Sequence, residues 1–592
     1  MAIALAAALA YANSLRAPFV LDDTQSVIRN PSIRHLADLK AVLTPDSGTT
    51  AGRPLVNLSF ALNYAWSGQA VWSYHLVNVA WHALAAVTLF GLVRRTLARS
   101  TDRCRSAALP LAATTAAVWA LHPLLTEVVT YVSERSELMM GACYLLTLYG
   151  LARAANADRP WRWLVLSVAA AWCGFASKEV MVTVPVIALL YDRAYLSESF
   201  GDALRRRRWY YGGLVLGWPL LAFLMTAYPI AGRGVGFGFG AGAATYALTE
   251  FRALATYLAR AVWPAPLVFD YGPAAYVKPG QAIVLDGMIV AALVGAAITA
   301  WWKVKRIGFP ALAFFILLAP TSSVVPIALQ PIAESRMYLP LAALAVLAVV
   351  GVHAVGGRSG HRWIPGTLLL AALGLGVLSM TRNRLYADPI ALWRDTVAKA
   401  PENPRACDSL GTTLAAAGQA AAARAEFEAA LRIDPAFAPA HYNLGVILLN
   451  AGDPAGALPH LQQALAVANE QGPLNGYLGD ALVQLGRYAE AIEPLRAAVR
   501  LQPGNVDAAF ALGNALGAAG QYEAAANAFR QAAAWGPDRA RVHNNLANAL
   551  LYAGHVDEAV AEYRRAAALD PNDQSIRANL EQALRLPPTT HR

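Results

Sequence analysis

The chain has 592 residues, of which 57% are hydrophobic and only 15% are charged. A soluble domain carries roughly 25% charged residues, so the composition excludes a purely soluble protein. It predicts a polytopic membrane protein with a soluble part attached. The four cysteines form no Cys-x-x-Cys pair or Cys/His cluster, so neither a disulfide framework nor a zinc site is expected.

Apolar segments are frequent in the first two thirds of the chain. About 20 residues are needed to cross roughly 30 Å of hydrocarbon. The segments that fit this length lie near 1–12, 74–93, 107–121, 137–152, 161–176, 180–196, 209–228, 281–302, 308–329, 338–355 and 363–380. They predict about 11 spans, although the first segment is short and its start is in doubt.

The net charge of +10 is concentrated in short loops between these segments. Lys and Arg in short loops mark the cytoplasmic face of a membrane protein. The basic runs at 94–105, 153–162, 193–208, 303–306 and 358–362 share one face if the amino terminus is cytoplasmic. This topology places the carboxyl terminus outside, treats 250–263 as an interfacial or re-entrant helix, and leaves Arg382 and Arg384 outside against the rule. The basic runs indicate orientation, so no nucleic-acid partner is expected.

A 34-residue period fills the last third of the chain, at 401–434, 435–468, 469–502, 503–536 and 537–570. This is the length of a tetratricopeptide helix pair. Turn glycines, Leu-Gly pairs and small alanines recur in phase through five repeats, with a charged helix from Asp573 to about Leu586 as a cap. Stacked repeats form a concave groove for an extended peptide or another protein. The alternative is a spacer or dimerisation arm.

Two adjacent acids, Asp22 and Asp23, follow the first apolar segment. At that position they lie at the membrane-water interface, where a lipid-borne substrate presents its head group. The alternative is an exposed turn, since Asp residues bond to their own backbone.

Three other polar groups lie on the predicted outer face. Glu134 and Arg135 belong to a polar stretch that starts at His122, and Lys178 and Glu179 separate two apolar segments. Arg336 and Tyr338 open a later segment, and the guanidinium fork of Arg suits a phosphate. Each group has a simpler reading as an interfacial anchor or a side chain that snorkels to the surface.

These residues together suit sugar transfer. A lipid-phosphate sugar donor requires cations to stabilise the departing phosphate and a carboxylate to take the proton of the acceptor hydroxyl. Asp22 or Asp23 supplies the base, and Arg336, Lys178 and Arg135 are the candidate cations. No Walker loop, dinucleotide glycine pattern or Ser/His/Asp order competes with this interpretation.

The chain also resembles a known family. The motifs that carry the resemblance are Phe19-Val-Leu-Asp22-Asp23, Gly52-Arg-Pro-Leu55, Tyr74-His-Leu-Val-Asn-Val79, His122-Pro-Leu-Leu-Thr-Glu127, Ser177-Lys-Glu179 and Glu334-Ser-Arg-Met-Tyr-Leu339, followed by tetratricopeptide repeats. This succession is similar to the transmembrane and tetratricopeptide repeat-containing O-mannosyltransferases, and the chain looks like a bacterial relative of them.

The resemblance implies a GT-C membrane fold and inverting transfer of a sugar, typically mannose, from a polyprenyl-phosphate carrier to Ser or Thr hydroxyls. One acid of the first-loop pair is the implied base; Asp23 is preferred here, and the sequence leaves the choice with Asp22 open. The family motifs add Arg53, His122, Glu179 and Glu334 to the candidate substrate-binding residues. Beyond the lipid-linked sugar donor no cofactor is expected, and the participation of a divalent metal is left open.

The predicted organisation is all-α. A GT-C-like membrane domain spans 1–385, a linker helix spans 386–400, and a tetratricopeptide domain spans 401–592. In a bacterium this places a multi-pass protein in the inner membrane with its repeats in the periplasm. Two alternatives remain, a GT-C enzyme with a lipid or glycan acceptor and a non-enzymatic membrane-anchored scaffold.

Overall fold

The computed structural model describes residues 1–45, 50–100, 102–228, 242–277, 283–322, 330–355, 364–467 and 471–587. Among these residues all regular structure is helical, which confirms the predicted all-α class. The chain divides into two compact units, Met1–Asn403 and Pro404–Arg592.

The first unit contains nineteen α-helices within the described residues. In chain order they are α1 (Ala2–Ala10), α2 (Leu39–Leu43), α3 (Pro54–Ser67), α4 (Val71–Leu97), α5 (Asp102–Ser106), α6 (Ala108–Ala120), α7 (Thr126–Thr130), α8 (Arg135–Ala154), α9 (Pro160–Phe175), α10 (Val184–Tyr195), α11 (Phe200–Arg206), α12 (Arg208–Val215), α13 (Gly217–Ala227), α14 (Ala243–Val262), α15 (Ile283–Lys303), α16 (Lys305–Leu318), α17 (Pro340–Val355), α18 (Ile364–Tyr386) and α19 (Pro389–Lys399).

Short helical turns connect the long helices on the predicted outer face. The 3₁₀ turns are Ala12–Arg16, Pro31–Ile33, Pro123–Leu125, Val132–Glu134, Glu179–Thr183, Pro273–Ala275 and Glu334–Met337, and Thr24–Ile28 is a single π turn. Most of the candidate site residues lie in or beside these turns. A one-turn helix leaves most of its backbone donors and acceptors without intrahelical partners, so side chains must satisfy them.

Each predicted apolar segment contains at least one helix, but the number of spans is not fixed by the structure. Four helical stretches in the described residues are long and apolar enough to cross a membrane: Val71–Leu97, Arg208–Ala227, Ile283–Lys303 and Ile364–Tyr386. Two bent helix pairs raise the total to six if each pair is one span. The predicted count of about 11 therefore remains a prediction. The predicted basic run at 358–362 and the end of the segment 308–329 lie outside the described residues.

The second unit is a stack of helix pairs. Its helices are α20 (Pro404–Ala416), α21 (Ala420–Ile433), α22 (Ala438–Asn450), α23 (Pro454–Val467), α24 (Gly472–Gln484), α25 (Tyr488–Leu501), α26 (Val506–Ala518), α27 (Tyr522–Trp535), α28 (Ala540–Tyr552), α29 (Val556–Leu569) and α30 (Gln574–Leu584). The five pairs follow the 34-residue period, and α30 is the predicted capping helix.

The repeat signature has a direct packing cause. The glycine that ends the first helix of each pair has a positive φ, between 73° at Gly486 and 92° at Gly554. The glycine of the Leu-Gly pair allows the two helices to approach closely. A Cβ at Gly411 would lie 2.6 Å from the Phe427 ring, and one at Gly445 would lie 2.7 Å from Leu461. The phased alanines, represented by Ala423, are fully buried. The structure therefore confirms the tetratricopeptide repeats.

Candidate active site

Asp23 is anchored inside the first unit, just after α1. Its Oδ1 accepts hydrogen bonds from the Ser133 backbone N–H (2.7 Å) and the Ser133 hydroxyl (2.6 Å). Its Oδ2 accepts one from the Val20 N–H (3.0 Å), and only 1% of the residue is exposed. Burial raises the pKa of Asp23 to about 7, and the hydrogen bonds from Ser133 and Val20 oppose the rise. Asp23 therefore fixes the first loop to the segment that precedes α8.

Asp22 differs from its neighbour because it is exposed. Its backbone N–H donates to the Tyr131 hydroxyl at 2.9 Å, so this residue is also fixed by the segment before α8. The preceding Leu21 has a φ of 43°, in the left-handed region that few non-glycine residues adopt. The turn at this point leaves one carboxylate at the surface and the next one buried. Asp22 is therefore accessible to solvent, whereas Asp23 is not.

A cluster of positive and negative side chains surrounds Lys178 and Glu179. The Lys178 ammonium is 2.7 Å from a Glu137 oxygen and 3.9 Å from a Glu134 oxygen. Nearby, an Arg53 nitrogen is 3.5 Å from a Glu179 oxygen. Burial lowers the pKa of Lys178, but the carboxylates of Glu137 and Glu134 outweigh burial and raise it above its ordinary value. Lys178 thus keeps its positive charge although it is mostly buried.

A second ion-pair group contains Glu334 and Arg336. One Glu334 oxygen accepts from the Val268 N–H at 2.7 Å, and the other is 3.1 Å from an Arg382 nitrogen. Arg336 lies 3.5 Å from a Glu250 oxygen and donates to the Pro331 carbonyl at 3.0 Å. Both candidates are largely buried with partners inside the protein.

Glu127 connects the two charge groups. It is 3% exposed and interacts electrostatically with Glu334, Glu134 and Arg382. Its Oε2 atom has no hydrogen-bond partner among the described residues. Glu127 therefore interacts electrostatically with polar residues both before α8 and before α17.

Arg135 is not brought to a substrate-facing position. It is fully buried and donates to Asn78 Oδ1 (2.8 Å), Asn63 Oδ1 (2.6 Å) and the Tyr74 carbonyl (2.8 Å). Its guanidinium also lies 4.5 Å from the centre of the Phe60 ring. These contacts tie α8 to α3 and α4, so the donors of Arg135 are used within the protein.

Tyr338 and His122 are likewise internal. The Tyr338 hydroxyl is 3.1 Å from His82 Nδ1, and its ring packs against Trp119. His122 Nδ1 accepts from the Leu124 N–H at 3.2 Å, and its Nε2 is 3.2 Å from a carbonyl of α14. Both side chains hold helices together in this structure.

Comparison with known proteins supports the division into two units. A family model described as dolichyl-phosphate-mannose-protein mannosyltransferase matches residues 51–226, and tetratricopeptide models match 409–476, 442–506 and 516–584. The chain is 26% identical over 536 residues to protein O-mannosyl-transferase Tmtc1 of Drosophila melanogaster, covering 73% of this chain and 61% of the relative. It is 34% identical over 197 residues to Tmtc2 of the same organism, covering 31% of this chain and 20% of the relative. This chain is similar to the TMTC-like protein O-mannosyl-transferases.

A solved structure is similar to the repeats of this chain. YrrB, titled a tetratricopeptide protein with an unusual peptide-binding site, is 22% identical, covers 32% of this chain and 97% of its own, and gives a TM-score of 0.31. The chain spans about three fifths of the length of Tmtc1, the relative that it matches over most of its own sequence.

The mannosyltransferase model covers only part of the candidate site. Arg53, Lys178 and Glu179 lie within 51–226, as do the residues from His122 to Arg135. Asp22, Asp23 and the 334–338 segment lie outside it.

The sequence missed the partners that organise this site. Ser133 and Tyr131, which hold the two acids, lie in the polar stretch that the sequence singled out, but their hydroxyls gave no signal of a role. Glu137 is three residues from Glu134, a spacing that places two side chains on one helix face. The sequence did single out Arg382, because a basic residue on the predicted outer face departs from the rule that Lys and Arg mark the cytoplasmic face.

No metal centre emerges from the described part of the chain. Within it, no group of three or more His, Cys, Asp or Glu side chains is arranged to hold a metal ion. We derive no catalytic step through a metal.

Proposed function

We propose that this chain transfers a sugar, most simply mannose, from a polyprenyl-phosphate carrier to Ser or Thr hydroxyls of proteins. The carrying observation is the exposed Asp22 carboxylate beside the buried, hydrogen-bonded Asp23. The matches to protein O-mannosyl-transferases support the same reaction.

In the proposed reaction Asp22 is the general base. It takes the proton of the acceptor hydroxyl while the hydroxyl oxygen attacks the anomeric carbon of the donor sugar. A new carbon-oxygen bond forms on the face opposite the carrier, and the bond to the phosphate oxygen breaks. The polyprenyl phosphate leaves with the bonding electron pair, so the anomeric configuration inverts. Asp23 is a positioning residue, because its carboxylate holds the loop and is not accessible.

Lys178 and Arg53 are the proposed cations for the departing phosphate. Both side chains are partly exposed, at 12% and 18%, whereas those of Arg336 and Arg382 are at 5% and 8%. Positive charges placed where negative charge develops lower the barrier. To contact the phosphate, Lys178 would give up part of its contact with Glu137, and Arg53 would give up Glu179.

The proposed reaction takes place on the outer face of a bacterial inner membrane. The support is the distribution of basic loops, which places the first loop and the repeats on the side opposite the cytoplasm. Polyprenyl-phosphate sugars are the suitable donors there, since nucleotide sugars are made in the cytoplasm. In this proposal the groove of the repeats presents the acceptor protein.

The test is a reconstituted transfer reaction with the purified full chain. Polyprenyl-phosphate [³H]mannose is supplied together with a Ser/Thr-rich peptide and, separately, with membrane lipid or glycan. The expected result is label in the peptide, released by alkali as from an O-linked sugar. Label only in lipid or glycan would overturn the protein-acceptor part of the proposal. Absence of label from every acceptor, with a folded protein that binds no donor, would support the scaffold alternative.

A further inference from the structure

A long apolar cavity lies between helices of the first unit. It has a volume of about 320 Å³ and is bounded by α4, α8, α10, α16 and α17. Aliphatic side chains such as Leu92, Leu148, Ile187, Ala313 and Val346 form most of its wall. A cavity of this composition excludes water and suits hydrocarbon.

The tyrosine and threonine hydroxyls along this wall are already bonded within the protein. The Tyr191 and Thr96 hydroxyls are 2.7 Å apart, and the Tyr195 hydroxyl donates to the Arg306 carbonyl at 2.7 Å. The Tyr144 hydroxyl is 3.0 Å from that of Thr183. A polar ligand would find few hydrogen-bond partners in this cavity, because these hydroxyls already form hydrogen bonds within the protein.

The cavity is elongated along helix α17. On α17 its lining runs from near Leu339 to Ala354. Fifteen residues of helix rise about 22 Å at 1.5 Å per residue. This length exceeds the roughly 15 Å of hydrocarbon in one bilayer leaflet. An extended acyl chain can lie along it, whereas a compact ligand would fill only part of it.

The two ends of the cavity differ in charge. One end is lined by Arg306 and by the last turns of α4, next to the basic runs 303–306 and 94–105. The other end is lined by Leu317 and Leu339, which carry no charge. An occupant with one negative head group would place it at the Arg306 end, where the basic loops predict the cytoplasmic leaflet. Basic pockets between transmembrane helices on this face bind anionic lipid head groups.

We propose that the cavity is a binding site for one anionic glycerophospholipid of the cytoplasmic leaflet, with an acyl chain between the helices and its head group beside Arg306. This lipid is distinct from the sugar donor. The donor reacts at the opposite face, so its phosphate would lie beyond the Leu339 end. The proposal is independent of sugar transfer. It requires that the first unit is embedded in a bilayer with its Arg306 end at the cytoplasmic face, as the basic loops predict.

The test measures lipid that stays bound to the purified full chain. The protein is extracted from a host membrane with zwitterionic and anionic phospholipids, washed in mild detergent and examined by native mass spectrometry with lipid analysis. The expected result is about one anionic phospholipid per chain. Ala343→Phe should fill the cavity and lower this occupancy at least tenfold, whereas Leu370→Phe, on an exposed position of α18, should leave it unchanged.

Arg306→Gln tests the head-group end. It should lower the ratio of bound anionic to zwitterionic lipid at least threefold, and Arg208→Gln, a basic residue that does not line the cavity, should not. Size-exclusion profiles and thermal unfolding verify that each variant is folded. If Ala343→Phe does not fold, Ala343→Val provides a milder substitution at the same position. Wild-type occupancy in a folded Ala343 variant, or polyprenyl phosphate as the retained lipid, would overturn the proposal.

Discussion

Adjacent residues can have opposite roles when the backbone turns between them. Asp22 is exposed and Asp23 is buried, although both are held by one segment about 110 residues further along the chain. The sequence predicts an acidic pair at an interface, because adjacent charges after an apolar segment are visible locally. It does not distinguish the two acids, since the difference depends on the distant Ser133 and Tyr131.

The pKa of Asp23 gives a prediction for stability. Because its pKa in the folded protein is about 7, above the ordinary value of 3.8, the folded chain keeps a proton that the unfolded chain releases between about pH 4 and 7. The contribution of Asp23 to the free energy of unfolding should therefore decrease as pH rises through this range. Thermal unfolding in detergent should show the advantage of wild type over Asp23→Asn shrinking from pH 4.5 to 7.5. Parallel pH profiles would contradict the prediction.

Arg135 gives a second prediction at this scale. Arg135→Met would leave the buried side-chain oxygens of Asn78 and Asn63 without a donor, at a cost of about 1 to 3 kcal/mol each. We expect a loss of at least about 2 kcal/mol, seen as a lower Tm. Arg53→Met, at a partly exposed ion pair, should cost about 1 kcal/mol or less. If Arg135 instead contacts substrate, its variant would keep the wild-type Tm and lose donor affinity.

The sequence could not reveal that Arg135, His122 and Tyr338 are internal. Each has a residue type suited to phosphate or sugar, and each lies at the end of an apolar segment. Their partners come from helices distant in sequence, as His82 is 256 residues from Tyr338. Local patterns identify a polar group near the membrane, but only the packing shows which way it faces.

At the scale of helices, close packing between α8 and the start of α17 depends on one glycine. A Cβ at Gly141 would lie 2.6 Å from Cδ1 of the buried Tyr338 ring. Gly141→Ala should therefore displace this ring and cost about 1 to 3 kcal/mol. Gly212→Ala is the matched control, since nothing lies within 4 Å of its Cβ position on α12. It should be neutral or stabilising by up to about 1 kcal/mol.

Denaturation of both glycine variants in the same detergent would compare them directly. Equal stability would show that the ring of Tyr338 moves without cost and that this contact does not position the segment 334–339.

The helices themselves were largely predictable, because long apolar runs and a 34-residue period are periodic features of the sequence. The short turns of the outer face were not. They include Val132–Glu134 and Glu334–Met337, which carry charges and are stabilised by contacts with other elements. The candidate site lies in these turns, so it is the part of the fold that local patterns define least well.

At the scale of the whole molecule, the two units have different chemical capacities. The first unit contains the candidate site, with the exposed Asp22 and the buried ion pairs of Lys178 and Glu334, whereas the second is a regular stack of helix pairs. We propose a division of labour on this basis, in which the membrane unit performs the transfer and the repeats bind the acceptor.

The most direct test of the central claim is the rate of mannosyl transfer from a polyprenyl-phosphate donor to a Ser/Thr peptide by purified wild type and Asp22→Asn. The exposed position of Asp22 makes the substitution structurally mild, so the Tm should not change. Loss of a general base should lower the rate by about 100-fold or more. A variant that is folded and transfers mannose at the wild-type rate would contradict the assignment of Asp22 as the base.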